Sequence, residues 1–288
     1  MRPIITLNTL DGSRLDEWLE EFLYIYGHRD KELSLEQMWM KAVEDSAKVG
    51  EGVRENKGDE VVEYLSKTFC WTVSFIARLL RDDEIDDEFK ISREPISDCK
   101  IDSLTRLVFF KYPTICPRCL RASCICPILL KDPYNEQQRQ GKLTSARASN
   151  APPQTMNEIA QMFARIYDTA HFIKSIEEVC FHYLEEVGEV ARAIRRLRAK
   201  DLDSLELLAR RQNLVEELAD VMSWTFSLAR KKHAELADFA QFVAIDASCL
   251  SSLSLQRMLW KTYGDNKKNQ LRCPICSKRK CLLTCEKK

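Results

Sequence analysis

The chain has 288 residues, 44 lysines and arginines balancing 44 aspartates and glutamates, and 45% of it is hydrophobic. Those values exclude a disordered chain and give no global reason to expect nucleic acid or an anionic membrane as the main partner. The length suggests two domains. The 8 glycines are too few for sandwiches or nucleotide-binding parallel sheets, which need glycine at their turns, so helices are favoured.

The longest apolar stretch, Cys70 to Leu80, falls far short of the ~20 residues a membrane span requires, and it contains Arg78. Met1-Arg2-Pro3-Ile4 lacks the long apolar region of a secretory signal. Twelve cysteines in such a chain point to a reducing, cytoplasmic compartment and to metal binding rather than a disulfide framework.

In chain order the periodicity predicts helices over about 14–31, 35–55, 59–82 and 101–112, then 156–173, 176–200, 204–232, 235–247 and 253–263. The first is marked by the stripe Leu15, Trp18, Leu19, Phe22, Ile25. Ser34-x-x-Gln37, Thr155-x-x-Glu158 and Ser175-x-x-Glu178 read as capping boxes. Lys131 to Asn150 is polar and runs into Pro152-Pro153, the composition of an exposed linker.

The chain also repeats itself. A shift of 141 residues places Glu17–Arg54 over Glu158–Arg195, with Phe22/Phe163, Ile25/Ile166, Tyr26/Tyr167 and Glu44/Glu185 identical. A shift of 153 pairs Glu63, Leu65 and Trp71 with Glu216, Leu218 and Trp224. A shift of 151 pairs Ser103-Leu104, Arg106 and Tyr112 with Ser254-Leu255, Arg257 and Tyr263. Each half ends in four clustered cysteines. The expected organisation is all-α and tandem: a bundle over 1–130 with a cysteine tail, a linker over 131–153, and a second bundle with its tail over 154–288.

In the second half Glu186 and Glu189 share one helix face, and Glu217 and Asp220 share another. Glu186 and Asp220 each stand 17 residues from Asp203, and Glu189 and Glu217 each stand 14, so an antiparallel hairpin sets all four acids at one level. That level is about 20 Å from the turn at 1.5 Å per residue. Glu-rich helices can simply present a solvated face. Four acids at matched height beside Leu184, Val187, Leu218 and Val221 instead favour a hard divalent cation, Mg²⁺ or Mn²⁺. No Glu-x-x-His pair of the di-iron type is present, and His182 reads as a structural or surface histidine.

Glu185-Glu186-x-x-Glu189, 27 intervening residues, then Glu217-x-x-Asp220 resembles the signature of MazG-like all-α nucleoside triphosphate pyrophosphohydrolases. The resemblance covers about 156–263 and, more weakly, 14–112. It implies Mg²⁺-dependent hydrolysis of the α–β phosphate bond, giving a nucleoside monophosphate and pyrophosphate. Glu186, Glu189, Glu217 and Asp220 would be metal ligands, with Glu185 a further ligand or the residue orienting the attacking water. Family members are typically dimers, so a homodimer or an intramolecular pseudo-dimer is expected.

At the matching positions the first half has Asp45, Lys48, Tyr64 and Lys67, which pair about Asn56 by the same spacing. Two lysines there would repel Mg²⁺, so this copy is expected to bind no metal. It would serve as a built-in second subunit, or lend Lys48 or Lys67 to phosphates. Trp224, four residues after Asp220, suits base stacking, although its recurrence as Trp71 favours a core role. Arg192, in the run with Arg195, Arg196 and Arg198, is a candidate phosphate contact or solvated surface. Lys261 and Tyr263 fall where the family's last helix often contributes a basic residue.

The tetrads are Cys116, Cys119, Cys124 and Cys126, and Cys273, Cys276, Cys281 and Cys285. Each opens with Cys-Pro-x-Cys, a knuckle whose sulfurs reach one ion, and four thiolates suit tetrahedral Zn²⁺ capping each bundle; redox-active thiols or a shared site are the other readings. Cys70, Cys99, Cys180 and Cys249 read as core residues. Two further functions compete with the enzyme: a nucleotide sensor or zinc-stabilised interaction scaffold without turnover, and nucleic-acid binding through the basic knuckles. Neutral charge and the absence of interleaved aromatics weigh against the last.

Overall fold

The computed structural model describes residues 5–82, 85–91, 95–96, 99–126, 129, 131–172, 174–199, 203–242 and 255–281, leaving out the side chains of 168–172 and 233–242. Its helices are α1 (Leu15–Asp30), α2 (Leu35–Arg54), α3 (Gly58–Arg81), α4 (Leu104–Lys111), α5 (Glu136–Ser149), α6 (Met156–Phe172), α7 (Ile176–Leu197), α8 (Ser204–Phe242) and α9 (Leu255–Tyr263). Two two-residue strands, β1 (Gly264–Asp265) and β2 (Gln270–Leu271), pair antiparallel after α9. The fold is mostly helical. No helix among the described residues is long and apolar enough to cross a membrane.

Local chemistry explains the helix starts. Ser34 with Gln37 and Ser175 with Glu178 close reciprocal capping boxes. Thr155 and Glu158 exchange the same pair of bonds at 3.2 Å each. Asn56, the centre of symmetry in the first half, turns the chain from α2 to α3 with a φ of 53°, a left-handed conformation that asparagine tolerates. Gly52 lets the two helices close up, since a Cβ there would lie 3.1 Å from Val61 Cγ2.

Two expected boundaries are corrected. The segment 131–153 is not simply a loop but contains α5. Asn135 and Gln138 cap it, Leu143 is buried, and the Arg147 guanidinium lies 4.0 Å over the Phe110 ring while Nε donates to the Phe110 carbonyl at 2.6 Å. One apolar anchor and one arginine dock this polar helix, too weak a pattern to read as periodicity. The separate helices expected over 204–232 and 235–247 are one helix to Phe242, because no glycine or proline interrupts α8. Residues 243–247 and the turn residues Asp201 and Leu202 lie outside the described residues.

A single apolar core runs through both halves, with α2 packed on α7 as well as on α3. Buried Trp39 of α2 donates from its indole to the Val187 carbonyl of α7 at 3.1 Å. Arg211 of α8 reaches back to the first half, bonding the carbonyls of Asp87 and Glu88 at 2.5 and 3.0 Å.

The halves also exchange their ends. Helix α4 packs on α8, and α9 on α3. Tyr112 meets Phe163 and Tyr167 edge-on at 5.2 and 6.0 Å, while Tyr263 meets Phe22 and Tyr26 at 5.3 and 6.3 Å. Cys124 N–H donates to the Ile166 carbonyl at 2.6 Å, and Cys281 N–H to the Ile25 carbonyl at 2.7 Å. These are corresponding positions of the repeat, so each contact has a reciprocal twin.

Candidate active site

The α7–α8 hairpin brings Glu186, Glu217 and Asp220 together, with one carboxylate oxygen of each within 4.8 Å of the others. Burial, reinforced by the Asp220 charge, pushes the Glu186 carboxyl up to about 8. Burial also raises Glu217, which accepts a hydrogen bond from Asn213 Nδ2 at 2.7 Å. Three crowded acids, two of which burial holds back from ionisation, are an arrangement that a divalent cation relieves.

Two residues of the first half reach this cluster, and neither was among the candidates. Lys111, the last residue of α4, forms an ion pair with Asp220, and the adjacent Tyr112 hydroxyl donates to the other Asp220 oxygen. Burial works against the Lys111 charge, but Asp220 outweighs it and holds the ammonium above its ordinary range. The Tyr112/Tyr263 match was a signal in the sequence. What was hidden is that the end of the first half belongs to the cavity of the second.

The other expected residues are placed differently. Glu189 lies outside the group of three and pairs with Arg192 at 2.8 Å. Glu185 is exposed, 3.3 Å from His182 Nδ1. Lys261 is not at the acids; it bonds Asp59 at the start of α3 at 2.6 Å. Arg198 likewise spans the halves to Glu36 at 2.7 Å, leaving the arginine run at the surface.

Glu186 and Asp220 open into a cavity of about 830 Å³, lined also by Lys174, His182 and Trp224. Such a volume suits a nucleotide-sized ligand. Trp224 is half-buried and stacked on His182, their ring centroids 4.7 Å apart at 20°. Trp224 thus packs against the apolar core and also lines the cavity wall beside His182. Its counterpart Trp71 is buried beneath the Arg29 guanidinium at 4.0 Å.

Residues 174–244, which carry all five acids, match the family model for the MazG nucleotide pyrophosphohydrolase domain. The chain carries a MazG-like domain. No curated protein and no solved structure gives a match.

The half preceding the MazG-like domain has the same hairpin with different chemistry. Burial raises the Asp45 carboxyl to about 6, Lys67 bonds Glu63 at 2.6 Å and lies over the Tyr64 ring, and Lys48 bonds Glu51 at 2.6 Å. Among the described residues no acidic cluster forms there. Lys48 is paired on the helix surface, while the half-buried Lys67 lines a small cavity together with Asp45.

Two thiol clusters flank the MazG-like domain and its partner half. The sulfurs of Cys116, Cys119, Cys124 and Cys126 all lie within 4.8 Å of one another, as do those of Cys273, Cys276 and Cys281; Cys285 is outside the described residues. The loops are near-copies. Leu120 N–H donates to the Cys116 carbonyl at 2.8 Å and Ser277 N–H to that of Cys273 at 2.9 Å, and Leu120 and Ser277 both have a φ of 57°. A hydrogen bond between Cys116 and Cys124 lowers the Cys116 thiol and raises that of Cys124, so one proton is shared between the crowded sulfurs. The described cysteines are free thiols; Cys70 and Cys180 are buried, Cys99 is half-buried, and Cys249 lies outside the described residues.

Proposed function

We propose that the protein is a Mg²⁺-dependent nucleoside triphosphate pyrophosphohydrolase, cutting the α–β phosphate bond of a ribo- or deoxyribonucleotide to give the monophosphate and pyrophosphate. The observation that carries this reading is the clustering of Glu186, Glu217 and Asp220 within the MazG match, with Glu186 and Asp220 lining one cavity. Their hard oxygen donors suit Mg²⁺ or Mn²⁺, with Glu189 assigned as the fourth acid. Bound there, the cation would neutralise the phosphate chain and lower the pKa of water. Lys111 and Tyr112 hold Asp220 in place, the Trp224–His182 stack offers a flat face to the base, and Glu185 is assigned the orienting of water.

The reciprocal contacts of α4 and α9 support a tandem duplication in which the first copy serves as a built-in second subunit. The matching knuckles support structural zinc, with Cys285 completing the second set. Metal analysis of protein purified without added zinc is expected to find about two zinc ions per chain; none would overturn the assignment.

The deciding experiment is pyrophosphate release from a panel of NTPs and dNTPs with Mg²⁺. Release from none of them would reject the enzyme. The sensor reading has one observation in its favour, the Lys111 ammonium that already neutralises Asp220, and it would then stand if nucleotides bind without turnover.

The site also predicts a pH dependence. Glu186 holds its proton up to about pH 8, so Mg²⁺ binding must release that proton. Affinity is expected to rise by up to about tenfold per pH unit below 8 and to level off above it. Calorimetric titrations from pH 6 to 9, in buffers of different ionisation enthalpy, measure both the affinity and the released proton.

A further inference from the structure

The cavity beside the acids has a wall that belongs to neither of their helices. Cys116, Pro117, Arg118, Cys124 and Cys126 of the first half line it together with Glu186 and Asp220 of the second. Two attachments fix that wall: Cys124 N–H bonded to the Ile166 carbonyl, and Tyr112, four residues before the first thiol, bonded to Asp220. Arg118 stands between two thiols of the knuckle, exposed, and forms no ion pair with another described residue.

The twin knuckle supplies an internal comparison. Cys273, Pro274, Ile275 and Cys281 line a smaller cavity of about 250 Å³ beside Asp45 and Lys67 of the first half. The knuckle sharing a cavity with Glu186 and Asp220 carries arginine, and the one whose cavity holds Glu44 and Asp45 but no group of three acids carries isoleucine, 59% exposed, at the same position. A guanidinium that shares a cavity with an acidic cluster suited to a cation fits a polyanion that bridges the two, because its fork binds phosphate oxygens in pairs.

We propose that the Cys116–Cys126 knuckle is part of the substrate site: zinc holds the loop so that Arg118 binds the phosphate chain of the nucleotide opposite the acid-bound cation. This rests on the pyrophosphohydrolase reading and adds a binding residue from the other half of the chain. The zinc site then shapes the pocket as well as capping a bundle.

The test compares wild type with Arg118→Ala, Arg118→Lys and Ile275→Ala, in full-length protein of verified zinc content and circular dichroism. Arg118→Ala is expected to raise KM for the best triphosphate by about tenfold or more, the loss of one charge-assisted phosphate contact, with a smaller change in kcat. Arg118→Lys should recover part of the loss, and Ile275→Ala should leave KM unchanged. Affinity for the α,β-imido analogue of the same triphosphate should fall in parallel with the KM rise in Arg118→Ala. If wild type hydrolyses a triphosphate and Arg118→Ala does so with unaltered KM and analogue affinity, this inference is overturned while the proposed function stands. If wild type neither hydrolyses nor binds any nucleotide of the panel, both are overturned.

Discussion

Glu186→Gln is expected to cut pyrophosphate release by about 10²–10³-fold, the scale on which removal of one charge-stabilising group acts, while leaving the metal-free protein at least as stable. The amide keeps the shape of the side chain and removes a negative charge that burial and Asp220 already disfavour. The stability effect has a definite sign. Because the folded carboxyl titrates near 8, above its ordinary value of 4.5, wild type gains from the protonated form at low pH and loses that gain as pH rises through 8. The substitution should therefore leave Tm nearly unchanged near pH 4.5, raise it progressively with pH, and reach its full effect above about 8. Activity assays and thermal melts in chelator test the two halves of this expectation. Unaltered turnover would remove the acidic cluster from the reaction.

Residues 154–288 produced alone are expected neither to fold cooperatively nor to release pyrophosphate, although they contain every acid of the site. Trp39, Phe110 and Tyr112 of the first half are buried, and Trp39 and Tyr112 contact Val187, Phe163 and Tyr167 of the second. Burying a large apolar side chain contributes roughly 1.5–3 kcal/mol, so losing several such contacts approaches the whole stability of a domain, about 5–15 kcal/mol. Asp220 would also lose both of its partners, Lys111 and Tyr112. Circular dichroism, urea titration and the pyrophosphate assay of the fragment check this, and addition of residues 1–153 as a separate chain should restore part of the activity. A stable, active fragment would show that the first half is dispensable.

Local patterns carried much of the information in this chain. The capping boxes at Ser34, Thr155 and Ser175 involve residues three apart and need no tertiary context. The same holds for the left-handed Asn56 turn and for the spacing that places Glu186 level with Asp220. The knuckles were legible for a similar reason, since Cys-Pro-x-Cys confines two sulfurs within a few bonds of each other.

Which end of one half meets which helix of the other is a different kind of fact. It depends on where a buried aromatic such as Tyr112 finds its cavity, and no short-range spacing encodes that choice. Lys261 therefore sat where the family resemblance places a basic residue yet pairs with Asp59, while Lys111 reaches Asp220. The identical tryptophans diverged similarly: Trp71 is buried under Arg29, and Trp224 lines a cavity against His182. Residue type and spacing determined the helices, the acids and the thiols. Only the packing of two halves into one core decided that the acidic cavity is walled by both, because burial of apolar surface is summed over the whole molecule rather than along the chain.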